Sequence, residues 1–286
     1  MTAIFQKRAL LIAGPTASGK SALALQRAAE QGGIIINADA LQVYSDLRIL
    51  SARPSPEDEA LAPHRLYGHV AAEQPYSVAA WAAEARREME AAWSQRLLPI
   101  VTGGTGLYFR ALEQGLAPVP PIPEEVRSRW RSFTGDLHAA LQSRDPAMAT
   151  RLQPADRQRL TRALEVIDAT GRSLRDWQRE AQDQAPLEGV ETERIFLDVP
   201  RAELHARAES RFDAMMTEGA LEEARAVMHR DPMLPMMKAI GVPELVRHLK
   251  GEISRDEAVE QAKAATRQFI KRQGTWWRGQ MKHWSG

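Results

Sequence analysis

The chain has 286 residues, a formal net charge of +1, 44% hydrophobic and 26% charged residues, and no cysteine. This composition is typical of a soluble globular protein and excludes disulfides, iron–sulfur clusters and thiolate zinc sites. No apolar stretch reaches the roughly 18 residues that cross a membrane, so we expect a cytoplasmic protein without membrane contact.

The first predicted strand leads directly into a glycine-rich loop. The apolar run Ala9–Ala13 precedes the segment GPTASGKS, which matches the phosphate-binding pattern G-x-x-x-x-G-K-[ST], and a helix-forming run follows. In this context backbone N–H groups form an anion cradle, Lys20 adds a positive charge and the Ser21 hydroxyl can bind Mg²⁺. The motif predicts a diphosphate or triphosphate site without specifying a nucleotide. Its residues are Gly14, Pro15, Thr16, Ala17, Ser18, Gly19, Lys20 and Ser21.

Strand and helix signals then alternate. Residues 33–37 and 98–102 read as buried strands, with a helix over 76–95 between them. This order predicts a parallel sheet with helices on both faces, and such sheets bind ligands at the carboxyl ends of their strands.

A segment with four prolines, 117–123, ends this alternation. Short helical patterns follow to about residue 185, strand character returns at 194–199, and the rest reads as helical. We therefore predict an α/β fold: a P-loop-type parallel sheet flanked by helices, formed by 1–116 and 194–286. An inserted helical domain, 117–193, and a helical C-terminal segment complete it.

Two polar residues follow predicted strands. Asp39 comes after the second strand, where it is either an Mg²⁺ ligand or general base facing the phosphate site, or a helix N-cap. Thr105 lies in a second glycine-rich loop and offers a hydroxyl, although many tight turns have such a sequence.

A predicted helix from about residue 201 carries Arg207 and Arg211 at i, i+4 spacing. Their guanidinium groups either stabilise a leaving diphosphate or form surface ion pairs with Glu203 or Glu209.

The end of the chain is basic and aromatic. No acidic residue occurs from Gln261 to Gly286, which favours a nucleic-acid surface over a merely solvated helical face. Its basic and tryptophan residues are Lys263, Arg267, Lys271, Arg272, Arg278, Lys282, Trp276, Trp277 and Trp284.

Taken together, these segments resemble the tRNA dimethylallyltransferase family. The matching segments follow the family order over nearly the whole chain, and two of them, ADALQVY at 38–44 and KRQGTW at 271–276, are far more specific than the phosphate loop. The others are GGTGLYF at 103–109, Arg211-Phe212, DRQRLTRALE at 156–165 and KAIG at 238–241. The chain departs from the family pattern at Arg53, Val242-Pro243 and Gly274.

The resemblance implies transfer of a dimethylallyl group from its diphosphate to N6 of an anticodon-adjacent adenosine in tRNA. Asp39 would be the general base, Thr105 and Arg211 would contact the departing diphosphate, and Mg²⁺ would bind at Ser21. The implied partners are dimethylallyl diphosphate and the anticodon stem-loop of tRNA, and we expect a monomer. The implied tRNA-binding residues are Asp39, Ala40, Leu41, Gln42, Gln158, Arg159, Leu160, Thr161, Arg162, Lys271, Arg272, Gln273, Trp276 and Arg278.

Three other functions compete with this one. A small-molecule kinase or NTPase would use the phosphate loop and Asp39, but leaves the basic C-terminal segment unexplained. An enzyme that prenylates free adenine nucleotides would not need that segment. A non-catalytic RNA-binding protein would not need Lys20, Ser21 and Asp39 together.

Overall fold

The structure is a computed structural model that describes residues 6–180 and 185–284. Its centre is an all-parallel sheet with the strand order β3-β2-β4-β1-β5. This arrangement, with helices around the sheet, confirms the predicted α/β fold. The strands are β1 (Arg8–Ala13), β2 (Gly33–Asn37), β3 (His64–Arg65), β4 (Leu98–Gly103) and β5 (Glu191–Phe196).

The central and edge strands differ in burial. Residues Ala9–Ala13 of β1 and all of β2 are buried, as expected for parallel strands covered on both faces. Strand β5 is an edge strand with a charged and largely exposed sequence. We predicted it at 194–199, and this was wrong by three residues, because its pairing with β1 begins where Glu191 lies opposite Arg8.

Helices connect the strands and form most of the remaining structure. Among the described residues, no helix is long and apolar enough to cross a membrane. The α-helices are α1 (Lys20–Gln31), α2 (Pro56–Leu61), α3 (Val78–Ser94), α4 (Gly106–Gln114), α5 (Glu124–Arg131), α6 (Leu137–Arg144), α7 (Pro146–Ala149), α8 (Arg157–Thr170), α9 (Leu174–Arg179), α10 (Arg201–Glu218), α11 (Ala220–Val227), α12 (Val242–Leu249) and α13 (Arg255–Gln280).

The chain divides into two compact units. One comprises the residues up to Arg110 and from Gly189 onward, and the other is Ala111–Glu188. We predicted the insertion as 117–193. The second unit begins and ends earlier because the amide of Leu187 donates to the carbonyl of Leu112 (3.1 Å) and joins its two ends.

The second unit has its own apolar core. Trp130, Leu141, Leu160 and Leu164 are buried within it. Side-chain caps begin helices α6 to α9, as where the Asp156 carboxylate accepts from the Arg159 amide at the start of α8. With its own buried core and its own capped helices, this unit has the features of a helical module.

Candidate active site

The phosphate-binding loop predicted from the sequence connects β1 to α1. Its backbone is left-handed at Ala17 (φ 64°) and Gly19 (φ 93°), and Lys20 Nζ donates to the carbonyl of Pro15 at 2.7 Å. In the described part of the chain, the buried Ser18 hydroxyl has no hydrogen-bond partner. A non-glycine residue in a strained conformation and an unused hydroxyl fit a loop that binds an anion.

Lys20 is the cation at the centre of this loop. Burial is the main cause that lowers its pKa from 10.5 to about 8, while the negative charge of Asp39 opposes the shift and Arg211 adds to it. Because burial without a full counter-charge disfavours the ammonium form, the site favours an incoming anion.

We expect the affinity of the protein for inorganic pyrophosphate to fall as the pH rises through about 8, because Lys20 loses its positive charge there. Titration calorimetry on both sides of this pKa measures the effect. Lys20→Arg is the matched control, since arginine stays charged and the ionisation of the ligand is common to both proteins. Identical pH profiles for wild type and Lys20→Arg would contradict the assignment.

Helix α10 brings both of its candidate arginines to the cavity at this loop. Arg211 donates to the Thr16 hydroxyl at 2.8 Å, and burial lowers its pKa against the opposing effect of Asp39. Arg207 lies one turn earlier, where it lines the same cavity and forms the predicted ion pair with Glu203. The predicted ion pair with Glu209 is not formed by Arg207 or Arg211, because Glu209 pairs with Arg267.

Asp39 is held at the end of β2 by a buried asparagine. The Asn37 side-chain amide donates to the Asp39 carbonyl (3.0 Å), and its oxygen accepts from the Asp39 amide (2.8 Å). One carboxylate oxygen of Asp39 accepts from the Leu41 amide at 2.9 Å. The other oxygen has no partner among the described residues, so Asp39 keeps a free acceptor.

Thr105 supports the backbone beside Asp39. Its hydroxyl accepts from the Ala40 amide at 3.0 Å, and its own amide donates to the Ala38 carbonyl at 3.1 Å. A Cβ on Gly103 would overlap Ala38, so this approach requires a glycine. The hydroxyl hydrogen of Thr105 is still able to donate, and its contact to a diphosphate stays a prediction.

Helix α13 packs against both glycine-rich loops. The Gln273 amide oxygen accepts from the Thr16 amide (2.9 Å) and its nitrogen donates to the Gly104 carbonyl (3.1 Å). The Trp276 ring covers Gly106, where a Cβ would overlap it. Gln273, expected to bind tRNA, is buried with its amide used internally, so its observed role is to join the two loops.

Two cavities meet at these residues. The phosphate cavity, about 360 Å³, is lined by the loop together with Asp39, Tyr67 and Arg211. The apolar cavity, about 210 Å³, is lined by Leu41, Phe212, Met215, Ile240 and Phe269 among others. Both are bordered by Thr16, Asp39, Ser51, Ala52 and Arg211, so a ligand with an anionic end and an apolar end can occupy the two together.

The segment after Asp39 lines these cavities. Leu41 borders the apolar cavity, Gln42 borders the phosphate cavity, and Ala40 is half-buried. The Gln42 side-chain amide donates to the carbonyls of Ser51 and Ala52 at 3.0 and 2.8 Å. Gln42 therefore holds the loop that borders both cavities.

The tRNA candidates on α8 are not equivalent. Gln158 is exposed, Thr161 is half-buried, Arg159 lies 3.4 Å from Asp156, and Arg162 lies 3.4 Å from Glu165. The prediction for Leu160 is wrong for its side chain, which is fully buried among the apolar residues of the second unit.

The C-terminal basic residues fall into two groups. Lys263 and Arg267 pair with Asp213 and Glu209 of α10, which neutralises them. Lys271, Arg272 and Arg278 are exposed, and no carboxylate among the described residues pairs with them.

The exposed basic residues Lys271, Arg272 and Arg278 border cavities. Lys271 and Arg278 line a third cavity of about 380 Å³, and Arg272 borders the apolar cavity. Trp277 and Trp284 are buried and anchor this segment to the core.

Sequence reasoning missed two residues that hold the site. Besides Asn37, the Glu223 carboxylate accepts from the amides of Arg48, Ile49 and Leu50 at 2.6–2.9 Å. Asn37 was detectable as a polar residue that ends an isoleucine-rich strand. Glu223 lies far along the chain from its partners, and nothing local signals the contact.

The oxygen-bearing side chains at the phosphate cavity suit a magnesium ion that is bound partly by the protein and partly by a bound phosphate compound. Ser21 and Asp39 line the phosphate cavity, and within the described ranges no cluster of three or more His, Cys, Asp or Glu side chains forms a complete cage. Magnesium commonly binds one or two protein oxygens together with phosphates and water.

The sequence matches two family models. The model described as IPP transferase matches residues 42–280, and the one described as isopentenyl transferase matches residues 7–70. The tRNA dimethylallyltransferase of Nitrobacter hamburgensis is 55% identical, with 96% of this chain and 88% of the relative covered. That of Methylobacterium nodulans is 54% identical, with 96% and 92% covered.

Solved structures agree with these matches. A eukaryotic dimethylallyltransferase acting on tRNA has a TM-score of 0.84 and 26% identity, covering 95% of this chain and 70% of that one. The tRNA isopentenylpyrophosphate transferase of Bacillus halodurans has a TM-score of 0.69 and 29% identity, covering 96% and 87%.

Proposed function

Since the chain belongs to the IPP transferase family, which includes the tRNA dimethylallyltransferases, we propose that it transfers a dimethylallyl group from dimethylallyl diphosphate to N6 of an anticodon-adjacent adenosine in tRNA. The observation that carries this proposal is the phosphate cavity joined to an apolar cavity at Thr16, Asp39 and Arg211. The five-carbon chain of the donor is wholly apolar, whereas a nucleoside triphosphate ends in a ribose and a base that both have polar groups.

The donor fits across the two cavities. Its diphosphate lies against the loop amides, Lys20 and Arg211, and its five-carbon chain lies among the apolar side chains around Phe212. As the C1–O bond breaks, negative charge grows on the diphosphate. Lys20 and Arg211 stabilise that charge where it develops.

Asp39 stands at the junction of the cavities and serves as the general base. The N6–C1 bond forms, the C1–O bond breaks, diphosphate leaves, and the proton on N6 passes to the free carboxylate oxygen of Asp39. The Leu41 amide holds that carboxylate, and Asn37 holds the backbone of Asp39. The adenine reaches Asp39 out of its stack, which costs least in a single-stranded loop.

The proposed cofactor is Mg²⁺, held by Ser21 together with oxygens of the diphosphate. The ion, when bound, neutralises phosphate charge and adds to leaving-group stabilisation. Ser21 is exposed in the first turn of α1, where its hydroxyl is available for this contact.

Mass spectrometry of nucleosides tests the function directly. Transfer RNA incubated with the protein, dimethylallyl diphosphate and Mg²⁺ should yield N6-dimethylallyl adenosine without ATP. Prenylation of free adenine nucleotides, with tRNA unmodified, would support the nucleotide alternative. Cleavage of ATP with no prenylated product would support the kinase alternative.

The tRNA contacts come from the exposed basic residues Lys271, Arg272 and Arg278, with Trp276 beside them, and from the exposed side chains of α8.

The proposed location is the cytoplasm, where tRNA is modified, and the proposed state is a monomer. Both rest on the nature of the substrate and the family.

The double variant Lys271→Ala, Arg272→Ala should weaken tRNA binding and flatten the plot of log K against log[salt] by roughly 1–1.5 units, because each lost phosphate contact removes about 0.7. A salt titration of tRNA binding measures the slope. The affinity of the double variant for pyrophosphate, which binds in the phosphate cavity, should stay near that of wild type.

The matched control is Lys263→Ala, Arg267→Ala, which removes the same charge from the same helix. These two side chains are neutralised by α10, so the slope should stay near that of wild type. Equal slopes for all three proteins would mean that this face of α13 does not contact tRNA.

A further inference from the structure

The short segment after β3 has an unusual backbone. Leu66 (φ 63°) and Gly68 (φ 54°) are both left-handed, and Tyr67 lies between them. A bulky residue such as leucine rarely takes this conformation, which costs free energy unless surrounding contacts enforce it. Such strain is typical of segments that place a side chain at a ligand site.

Hydrogen bonds tie this segment to the candidate active site. The Asn37 amide nitrogen that donates to the Asp39 carbonyl also donates to the Leu66 carbonyl, at 3.0 Å in both cases. The Gly68 amide donates to the Gln42 carbonyl at 2.9 Å. One buried asparagine thus positions Tyr67 and Asp39 relative to each other.

Tyr67 lines the phosphate cavity with Lys20 and Asp39. Its ring is half-buried, lies edge-on to the ring of His64 (5.4 Å between centroids) and packs against the apolar core beneath the sheet. No described residue forms a hydrogen bond with its hydroxyl, although its ring has these packing contacts.

The Tyr67 hydroxyl remains protonated. Burial raises its pKa above the ordinary value, and the negative charges of Asp39 and Glu59 raise it further. It is therefore a neutral donor in a cavity whose lining already has three cationic side chains, Lys20, Arg207 and Arg211. A further cation beside Lys20 would lower its pKa more, as Arg211 already does, whereas a hydroxyl donates without that cost.

We propose that the Tyr67 hydroxyl donates a hydrogen bond to the diphosphate of the allylic donor and keeps it as the diphosphate departs. This inference rests on the proposed function, because it requires a diphosphate in the phosphate cavity. It makes Tyr67 a binding residue that acts beside the phosphate loop and comes from a different part of the chain.

Tyr67→Phe tests the inference, since it removes the hydroxyl and keeps the ring. Titration calorimetry with inorganic pyrophosphate and Mg²⁺ should show a loss of affinity of about 10-fold or more, as expected for a hydrogen bond to a charged group. The dissociation constant for tRNA should be unchanged. The matched control is Tyr76→Phe, whose hydroxyl donates to Glu84 (2.8 Å) and does not line the cavity, so its pyrophosphate affinity should equal that of wild type.

Wild-type affinity of Tyr67→Phe for pyrophosphate, even with slower transfer, would overturn the inference, because the hydroxyl would then serve Asp39 instead. A fluorinated tyrosine at position 67 provides a second test that retains a hydroxyl. Its stronger donor should tighten pyrophosphate binding, and unchanged or weaker binding would overturn the inference. Failure of the wild-type protein to bind pyrophosphate would instead overturn the proposed use of the cavity itself.

Discussion

Lys20→Ala should lower the rate of dimethylallyl transfer by about 10³-fold or more, because it removes the positive charge that we propose stabilises the departing diphosphate. The loss should appear in kcat as well as in the KM for dimethylallyl diphosphate, since the charge on the diphosphate is greatest in the transition state. Single-turnover assays with saturating tRNA measure the chemical step.

Lys20→Arg is the control for this prediction. It keeps the positive charge but replaces the ammonium group that donates to the Pro15 carbonyl with a larger, planar guanidinium group. It should therefore recover part of the rate. The affinity for tRNA should be the same in both variants. Transfer by Lys20→Ala at a rate near that of wild type would remove Lys20 from the mechanism, and transfer that required stoichiometric ATP cleavage would favour the kinase alternative.

Asp39→Ala should lower kcat by about 10²–10⁴-fold, the usual contribution of a general base. Because we propose that this carboxylate takes the proton from the reacting nitrogen, and its observed contact is with the Leu41 amide, the effect should fall on kcat, with little change in the dissociation constant for tRNA. Rapid-quench measurement of prenylated tRNA separates the chemical step from product release.

Asp39→Asn separates the two functions of this carboxylate. The asparagine can still accept from the Leu41 amide, so it retains the local structure but cannot take the proton from N6. We therefore expect Asp39→Asn to be about as slow as Asp39→Ala. Restoration of most of the activity in the asparagine variant would mean that Asp39 only shapes the loop.

The contribution of Lys20 should depend on pH. Burial lowers the pKa of Lys20 to about 8 in the free protein, so donor binding should weaken as pH rises through that value. A bound diphosphate favours the charged ammonium and raises this pKa. The fall at high pH should therefore be clearer in kcat/KM for the donor than in kcat.

Local sequence determined the phosphate site. The loop motif, the apolar run before it and the helix after it are consecutive in the chain, and the structure places them as expected. Asp39 was predictable for the same reason, because it directly follows a strand. The sequence also contained the evidence against Leu160 as an RNA contact: Leu160, Ala163 and Leu164 repeat at i, i+3 and i+4, which is the pattern of a buried helix face.

Tertiary structure decided which charged and polar groups remain available. The basic run of α13 looks uniform in the sequence, but packing against α10 neutralises Lys263 and Arg267 and leaves Lys271 and Arg272 exposed. Gln273 lies within the same run, yet its amide joins Thr16 to Gly104.

The contacts that complete the site join residues far apart in the chain. Asn37 bonds to Leu66, Glu223 bonds to the amides at 48–50, and Tyr67 reaches the cavity from beyond β3. Motifs and hydrophobic periodicity report on neighbours within a few residues, because they reflect the geometry of one loop or one helix. Which side chain contacts which partner across the fold depends on how the elements pack. In this protein that packing brings Arg211 to the Thr16 hydroxyl and Tyr67 to the phosphate cavity.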